Sequence, residues 1–324
     1  MDTERDEADP RRRRAQPRPA GPEQIDCEAA IVGAGGAGLA AALLLARARR
    51  SVVVVDDGRP RNAPSAQLRG FLGRDRDAPA ELLRAGREEV RGYGARLLDA
   101  RVERLDEQRV LHLRDGRRVR AERVLLASGL HDELPEVPGA AERWGRDVLH
   151  CPYCHAREAG PGPFVVLGTH PGAVHQSLLL RQWSDDVTLL GEPPRSGPEQ
   201  FAMLAAAGVR LQTGRAEGVV VEADAVTAVR TGSGVLPCRA VFVFPVPRPR
   251  DGFTAQLGLE RDEAGFPVTD ATGRTSLPWL YAAGNAANPR LPALAAAGDG
   301  QRTAFAMHNA WVAEQAATLA RGAR

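Results

Sequence analysis

The run Gly33-Ala34-Gly35-Gly36-Ala37-Gly38 follows the apolar stretch Ala29-Ala30-Ile31-Val32 and leads into an alanine- and leucine-rich segment from Leu39 to about Ala48. Strand, glycine turn and helix in that order form the phosphate-binding unit of a parallel α/β sheet. Gly33 permits the tight turn, Gly35 lets the backbone approach a pyrophosphate, and Gly38 lets helix and strand pack closely. The first helical N–H groups then face the anion. The next strand, Val52 to Val55, ends in Asp56, whose carboxylate is placed to accept from ribose hydroxyls. The expected ligand is a dinucleotide and the expected fold class is α/β.

A chain of 324 residues has room for two domains with separate cores, and 43% hydrophobic residues suits such a protein. A net charge of +2 gives no electrostatic reason to expect nucleic acid as a partner. No stretch of about 18 uncharged apolar residues is present, so no membrane span is expected. Residues 1–24 are acidic, then arginine-rich from Arg11 to Arg14, then proline-rich, and read as a disordered tail. An export signal would need an apolar stretch after the arginines, whereas Ala15 to Glu23 is polar.

Cys151-Pro152-Tyr153-Cys154-His155 carries the chemistry. Its spacing admits a redox disulfide, half a zinc site or a haem attachment site. Zinc needs four ligands, and the remaining cysteines, Cys27 and Cys238, are isolated and read as small buried residues. Haem attachment follows export. The redox reading has local support: Pro152 suits the first turn of a helix, which puts Cys151 at the N-cap, where backbone N–H groups and the helix dipole favour a thiolate. His155 and Arg157 add positive charge nearby. Four cysteines, two of them in a redox spacing, fit a reducing cytoplasmic setting with a catalytic disulfide.

A second cofactor signal lies in Thr275-Ser-Leu-Pro-Trp-Leu-Tyr-Ala-Ala-Gly-Asn285, with Leu280 to Ala282 as a buried strand, Gly284 as a bend and Asn285 aimed at a cofactor hydroxyl. With the glycine turn and the strand end Leu125-Leu-Ala-Ser-Gly129, the chain resembles the low-molecular-weight thioredoxin reductases, which are FAD-dependent disulfide oxidoreductases. The resemblance runs from Ile25 to the C-terminus. It implies two Rossmann-like, three-layer ββα units: an FAD-binding domain from residues 25–144 and 248–324, and an inserted NAD(P)-type domain at 145–247 carrying the cysteines. It further implies that Asn62 contacts FAD, that the last helix, from about Gly300 to Leu319, points its N-terminus at the flavin, and that the protein is a homodimer. Trp183 reads as a core residue ending an apolar helix stripe.

The insert has its own strand, turn and helix: Phe164 to Leu167, Gly168 to Ala173, and a helix through Gln182. His170 stands where the second fingerprint glycine belongs, and a side chain there obstructs a pyrophosphate. The strand Asp186 to Leu190 leads to Gly191-Glu-Pro-Pro-Arg195, where Arg195 alone remains to serve an NADPH 2′-phosphate. This erosion, together with His155 in place of the usual aspartate, is similar to the gliotoxin- and holomycin-type dithiol oxidases. The resemblance implies oxidation of a small dithiol through Cys151, Cys154 and FAD to oxygen, with His155 as base. Asn285 also replaces an aspartate, and an amide still bonds a ribityl hydroxyl. The competing expectations are an NAD(P)H-dependent thioredoxin or small-disulfide reductase and a flavin-binding redox sensor without turnover.

Overall fold

The computed structural model describes residues 23–191 and 198–322. The expected tail lies outside them up to residue 22, and Gln24 already belongs to the first strand.

The chain opens with β1 (Gln24–Val32), α1 (Gly36–Arg47), β2 (Val52–Asp56), α2 (Pro79–Gly92), β3 (Arg96–Asp99), β4 (Val102–Leu105), β5 (Val110–Leu113) and β6 (Arg118–Leu126). The order β3-β2-β1-β6-β5-β4 makes one sheet, parallel from β3 to β6, with β5 and β4 antiparallel beyond it. Ala29 to Val32 and Val52 to Val55 are buried throughout, as strands covered on both faces must be. One face packs against Leu39, Ala42 and Leu45 of α1. Leu105, Leu111 and Val119 lie in the core on the other face.

A ribbon strand β7 (Leu130–Glu133) follows, and then a second set of elements. These are β8 (Val148–Leu149), α3 (Pro152–Ala159), β9 (Phe164–Leu167), α4 (Gly172–Leu180), β10 (Val187–Leu190), α5 (Pro198–Ala206), β11 (Arg210–Gln212), β12 (Ala216–Glu222), β13 (Ala225–Thr231), β14 (Gly234–Pro237) and β15 (Ala240–Phe242). The order β11-β10-β9-β15-β8 forms a parallel sheet, and β12-β13-β14 forms an antiparallel one. Val165 and Val241 meet Val226 and Val229 between the two sheets. Phe164 and Phe242, edge to face at 5.2 Å, share the opposite core with Ala156 of α3 and Leu180 of α4. Three layers, sheet on sheet on helices, result.

The chain returns through β16 (Val246–Pro249), antiparallel to β7, and then β17 (Leu280–Ala282), which joins the first sheet beside β6. It ends in α6 (Ala293–Gly322). The sequence expectation that this helix begins near Gly300 is corrected: it begins at Ala293, after Pro292. Gly300 is an interior position where any Cβ would run into the backbone of Ala37 in α1. The glycine therefore serves a close helix crossing, which offsets its helix penalty of about 1 kcal/mol. α4 also stops at Leu180, short of Gln182, where the chain tightens into a turn.

Candidate active site

The turn after β1 is shaped by its glycines in three different ways. Gly33 has φ of +105°, and a Cβ there would strike the carbonyl of Ala127. A Cβ on Gly38 would strike the carbonyl of Gly33. Gly35, the N-cap of α1, has no heavy atom within 4 Å of where its Cβ would stand, so its bare backbone opens onto free space. Asp56 braces the turn: its Oδ1 accepts from the Ala34 N–H at 2.9 Å, and its other oxygen accepts from Gly58 and pairs with Arg87. Beside it lies an open cleft of about 450 Å³ lined by Asp56, Arg59, Asp99, Arg101 and Arg114.

Gly284, at φ +65°, donates its N–H to Asp299 of α6 at 2.8 Å and approaches Ala37 closely. The bend after β17 and the first turn are thus brought together. The Asn285 amide donates to the carbonyls of Asn288 and Leu291, and its oxygen accepts from Arg61 at 3.1 Å. Both amide hydrogens and one lone pair of the oxygen are thus engaged by the protein, and the second lone pair is free to accept from a cofactor hydroxyl. Arg61 in turn grips Asp132 of β7 with two bonds of 2.7 and 2.8 Å. Asn62 occupies the same turn, half-buried, with its backbone carbonyl accepting from Ser65.

These residues fit an FAD. The Gly35 face and the first N–H groups of α1 suit its pyrophosphate, and the cleft at Asp56 suits its adenosine end. The Ser128 hydroxyl, at the end of β6 beside Gly33, is buried without a hydrogen-bond partner, which leaves a polar group for the cofactor to satisfy.

The cysteines stand at the start of α3. Cys151 is the N-cap and Pro152 the first helical residue, as the sequence predicts. Cys151 and Cys154 form a disulfide with Cα atoms 5.3 Å apart, and both are half-buried. Tyr153 between them is 71% exposed and meets Trp183 edge to face at 5.5 Å. Trp183 packs against the core of the second parallel sheet, in line with its reading as a core residue. Cys27 and Cys238 lie elsewhere, and burial pushes both thiols up to about 12.

His155 follows Cys154 on α3, half-buried, and burial holds its imidazole below the usual range; Glu158 opposes that effect and Arg69 reinforces it. Arg69 and Glu158 form an ion pair at 3.0 Å. His150, just before Cys151, is pushed down to about 4, by burial first and then by Arg61, against the pull of Asp132. Its backbone carbonyl accepts from Gln176 of α4 at 2.6 Å.

In the turn after β9, the His170 ring stacks flat on Phe244, with centroids 4.6 Å apart and planes 8° apart. Its Nδ1 accepts from the Gly172 N–H at 2.9 Å. A helix N-terminal donor that could face a phosphate is therefore already bonded. Phe244 also meets His150 edge to face at 5.0 Å, which links this turn to the residue before Cys151. Arg195 lies outside the described residues.

Sequence reasoning found the glycines, Asp56 and the cysteines. It missed the roles of Arg61, Asp132, Arg69 and Phe244, which reach the site from distant positions without a local motif, and of Glu158, which lies on α3 itself but carries no signal until Arg69 pairs with it. Ser128 belongs to the strand end Leu125 to Gly129, and its small side chain after Ala127 carries no signal of its own.

The comparisons agree with this geometry. A family model described as pyridine nucleotide-disulphide oxidoreductase matches residues 28–310. The chain is 32% identical to thioredoxin reductase tcpT of Claviceps purpurea (strain 20.1) over 276 residues, 80% of this chain and 86% of the relative. It is 29% identical to thioredoxin reductase sirT of Leptosphaeria maculans over 293 residues, 81% and 87% of the two chains. The crystal structure of HlmI superposes with a TM-score of 0.88 at 44% identity, covering 92% of this chain and 96% of that one. No helix among the described residues is long and apolar enough to cross a membrane. With a cradle that fits FAD and a disulfide at a helix N-terminus, the chain belongs to the pyridine nucleotide-disulphide oxidoreductase family and is an FAD-dependent, thioredoxin reductase-like disulfide oxidoreductase.

Proposed function

We propose that this protein is a dithiol oxidase that closes a disulfide in a small natural-product dithiol, with oxygen as the final acceptor. In this reading, residues 25–144 and 248–324 hold FAD through Gly33, Gly35, Gly38, Asp56, Asn62, Gly284 and Asn285, and residues 145–247 carry the cysteines. The observation that carries the proposal is His170, which fills the turn where a nicotinamide dinucleotide would be gripped and bonds the Gly172 N–H itself. Without that grip, the reducing equivalents come from the dithiol.

The chemistry begins with a thiolate of the substrate attacking Cys151 Sγ. The Cys151–Cys154 bond breaks, and Cys154 leaves as a thiolate. The second substrate thiol then attacks the mixed disulfide, forming the product S–S bond and releasing Cys151 as a thiolate. Two electrons have passed to the cysteine pair, and the two thiol protons have left the substrate for a base. His155 accepts protons from these thiols: a neutral imidazole, with an ordinary pKa of about 6.5, is a better acceptor than a carboxylate of about 3.9. Burial keeps His155 in that neutral form at neutral pH. The position of Cys151 at the N-cap of α3 stabilises its thiolate. FAD, when bound, supplies the two-electron acceptor that restores the disulfide and delivers the electrons to oxygen as hydrogen peroxide.

The test is anaerobic. A small dithiol is expected to bleach the flavin band, and air is expected to restore it with peroxide formed, whereas NADPH leaves it unchanged. Rapid bleaching by NADPH would support the second reading, a thioredoxin or small-disulfide reductase, which the names of tcpT and sirT favour.

A further inference from the structure

Among the described residues no hydrogen bond or ion pair holds the His155 ring, yet a carboxylate lies one helical turn away on α3. His155 and Glu158 are three residues apart on α3, a spacing at which side chains meet on one helix face. A free Glu158 would pair with the imidazolium and favour the protonated ring. Glu158 is instead held by Arg69, Nε to Oε1 at 3.0 Å. Arg69 comes from the loop between β2 and α2 in the other half of the molecule, and its guanidinium is fixed by Gln67 Oε1 at 2.6 Å and by the carbonyl of Leu68. The arginine side chain is 15% exposed and the glutamate 41%, so the arginine is the anchored member and the glutamate the one drawn toward it.

We propose that Arg69 is a positioning residue for His155: by engaging Glu158 it keeps that carboxylate from claiming the imidazole, and leaves the ring neutral and available to the thiols. The proposal rests on the reading of His155 as the base, whose working range burial sets and this pair of charges trims. The charged and titratable groups around the ring are Glu158 from α3, Arg69 from the loop and His150 from the preceding segment. His150 is pushed down to about 4 and carries no charge near neutrality. The disulfide does not titrate, so in the oxidised protein burial sets the ring low and the balance of charge upon it lies between Glu158 and Arg69.

The experiment is an NMR titration of the oxidised, FAD-loaded protein labelled at histidine Cε1, with the His155 signal identified by its loss in His155→Ala. Arg69→Gln is expected to move the His155 midpoint upward and Glu158→Gln to move it downward. Arg69→Lys, which keeps the charge, is expected to restore the original midpoint. In the Glu158→Gln background, Arg69→Gln is expected to move the midpoint by less than it does alone. The acid limb of the anaerobic dithiol half-reaction should shift in the same direction as the ring. A His155 midpoint that ignores Arg69→Gln, or that moves equally in both backgrounds, overturns the proposal. A half-reaction untouched by His155→Ala overturns the base reading instead, and the titration distinguishes the two failures because it does not depend on turnover.

Discussion

In the turn after β1 the position that caps α1 is Gly35, with nothing within 4 Å of where a Cβ would be. In the turn after β9 the position corresponding to that glycine is His170, whose ring lies on Phe244 and whose Nδ1 takes up the Gly172 N–H. Both turns join a buried parallel strand to a helix, so the backbone architecture is shared. One side chain separates a helix end that offers its donors to a ligand from one that has bonded a donor internally. A strand-turn-helix unit therefore indicates a fold, and the residue at its mouth indicates whether the fold is used for binding.

The two turns should respond differently to change. The largest effect is expected outside both: His155→Ala should slow the dithiol half-reaction by about 10²- to 10⁴-fold, the usual worth of a general base. The flavin spectrum should stay intact, because the first turn does not depend on α3; stopped-flow bleaching and an absorbance scan check both halves. Next, Gly38→Ala should cost about 3 kcal/mol, near the top of the range for overpacking, because the new Cβ meets backbone rather than a mobile side chain. Thermal melting and flavin content measure this, and a normal yellow protein with unchanged Tm would show that the first turn is less rigid than its contacts imply.

The stack behind the second turn should report through pH. His150 titrates near 4 in the folded protein and near 6.5 when unfolded, so the unfolded chain takes up the proton first as pH falls. Its contribution is fully present above about 6.5 and is lost progressively down to about 4, by up to about 3 kcal/mol. His150→Asn should flatten that acid loss in a series of melting curves. The smallest effect is expected from His170→Gly, which frees the Gly172 N–H and removes the ring. It should raise the rate of flavin reduction by NADPH by about tenfold, or about 1.4 kcal/mol. No change would mean that nucleotide is excluded by something other than this ring.

What could be read from the sequence was what is local. The fingerprint glycines, the strand ending in Asp56, and Pro152 after an N-cap cysteine each signal through neighbours a few residues away, and the structure forms those elements there. α6 starts before the Gly300 that the resemblance implies, and only the crossing with Ala37 explains a glycine inside the helix. Asn285 reads as a cofactor contact from its place after Gly284, while its partnership with Arg61, with Asp132 beyond it, joins residues from three separate stretches of chain. Arg69 and Glu158 likewise meet only after folding. No periodicity or spacing encodes such pairs, because each half is an ordinary charged residue until the other arrives.

The ribbon of β7 and β16 has a consequence for how the chain reaches this form. Its register pairs Leu130 with Pro249 and Glu133 with Val246, so the outgoing and returning strands leave the first sheet side by side. Everything between them is a closed excursion whose entry and exit coincide. The entropy of closing such an excursion grows only slowly with its length, by about 0.6 kcal/mol per doubling. The second set of layers can therefore be shortened, exchanged or transplanted at this one seam while the strands of the first sheet keep their partners, which makes the seam the natural cut for a chimaera.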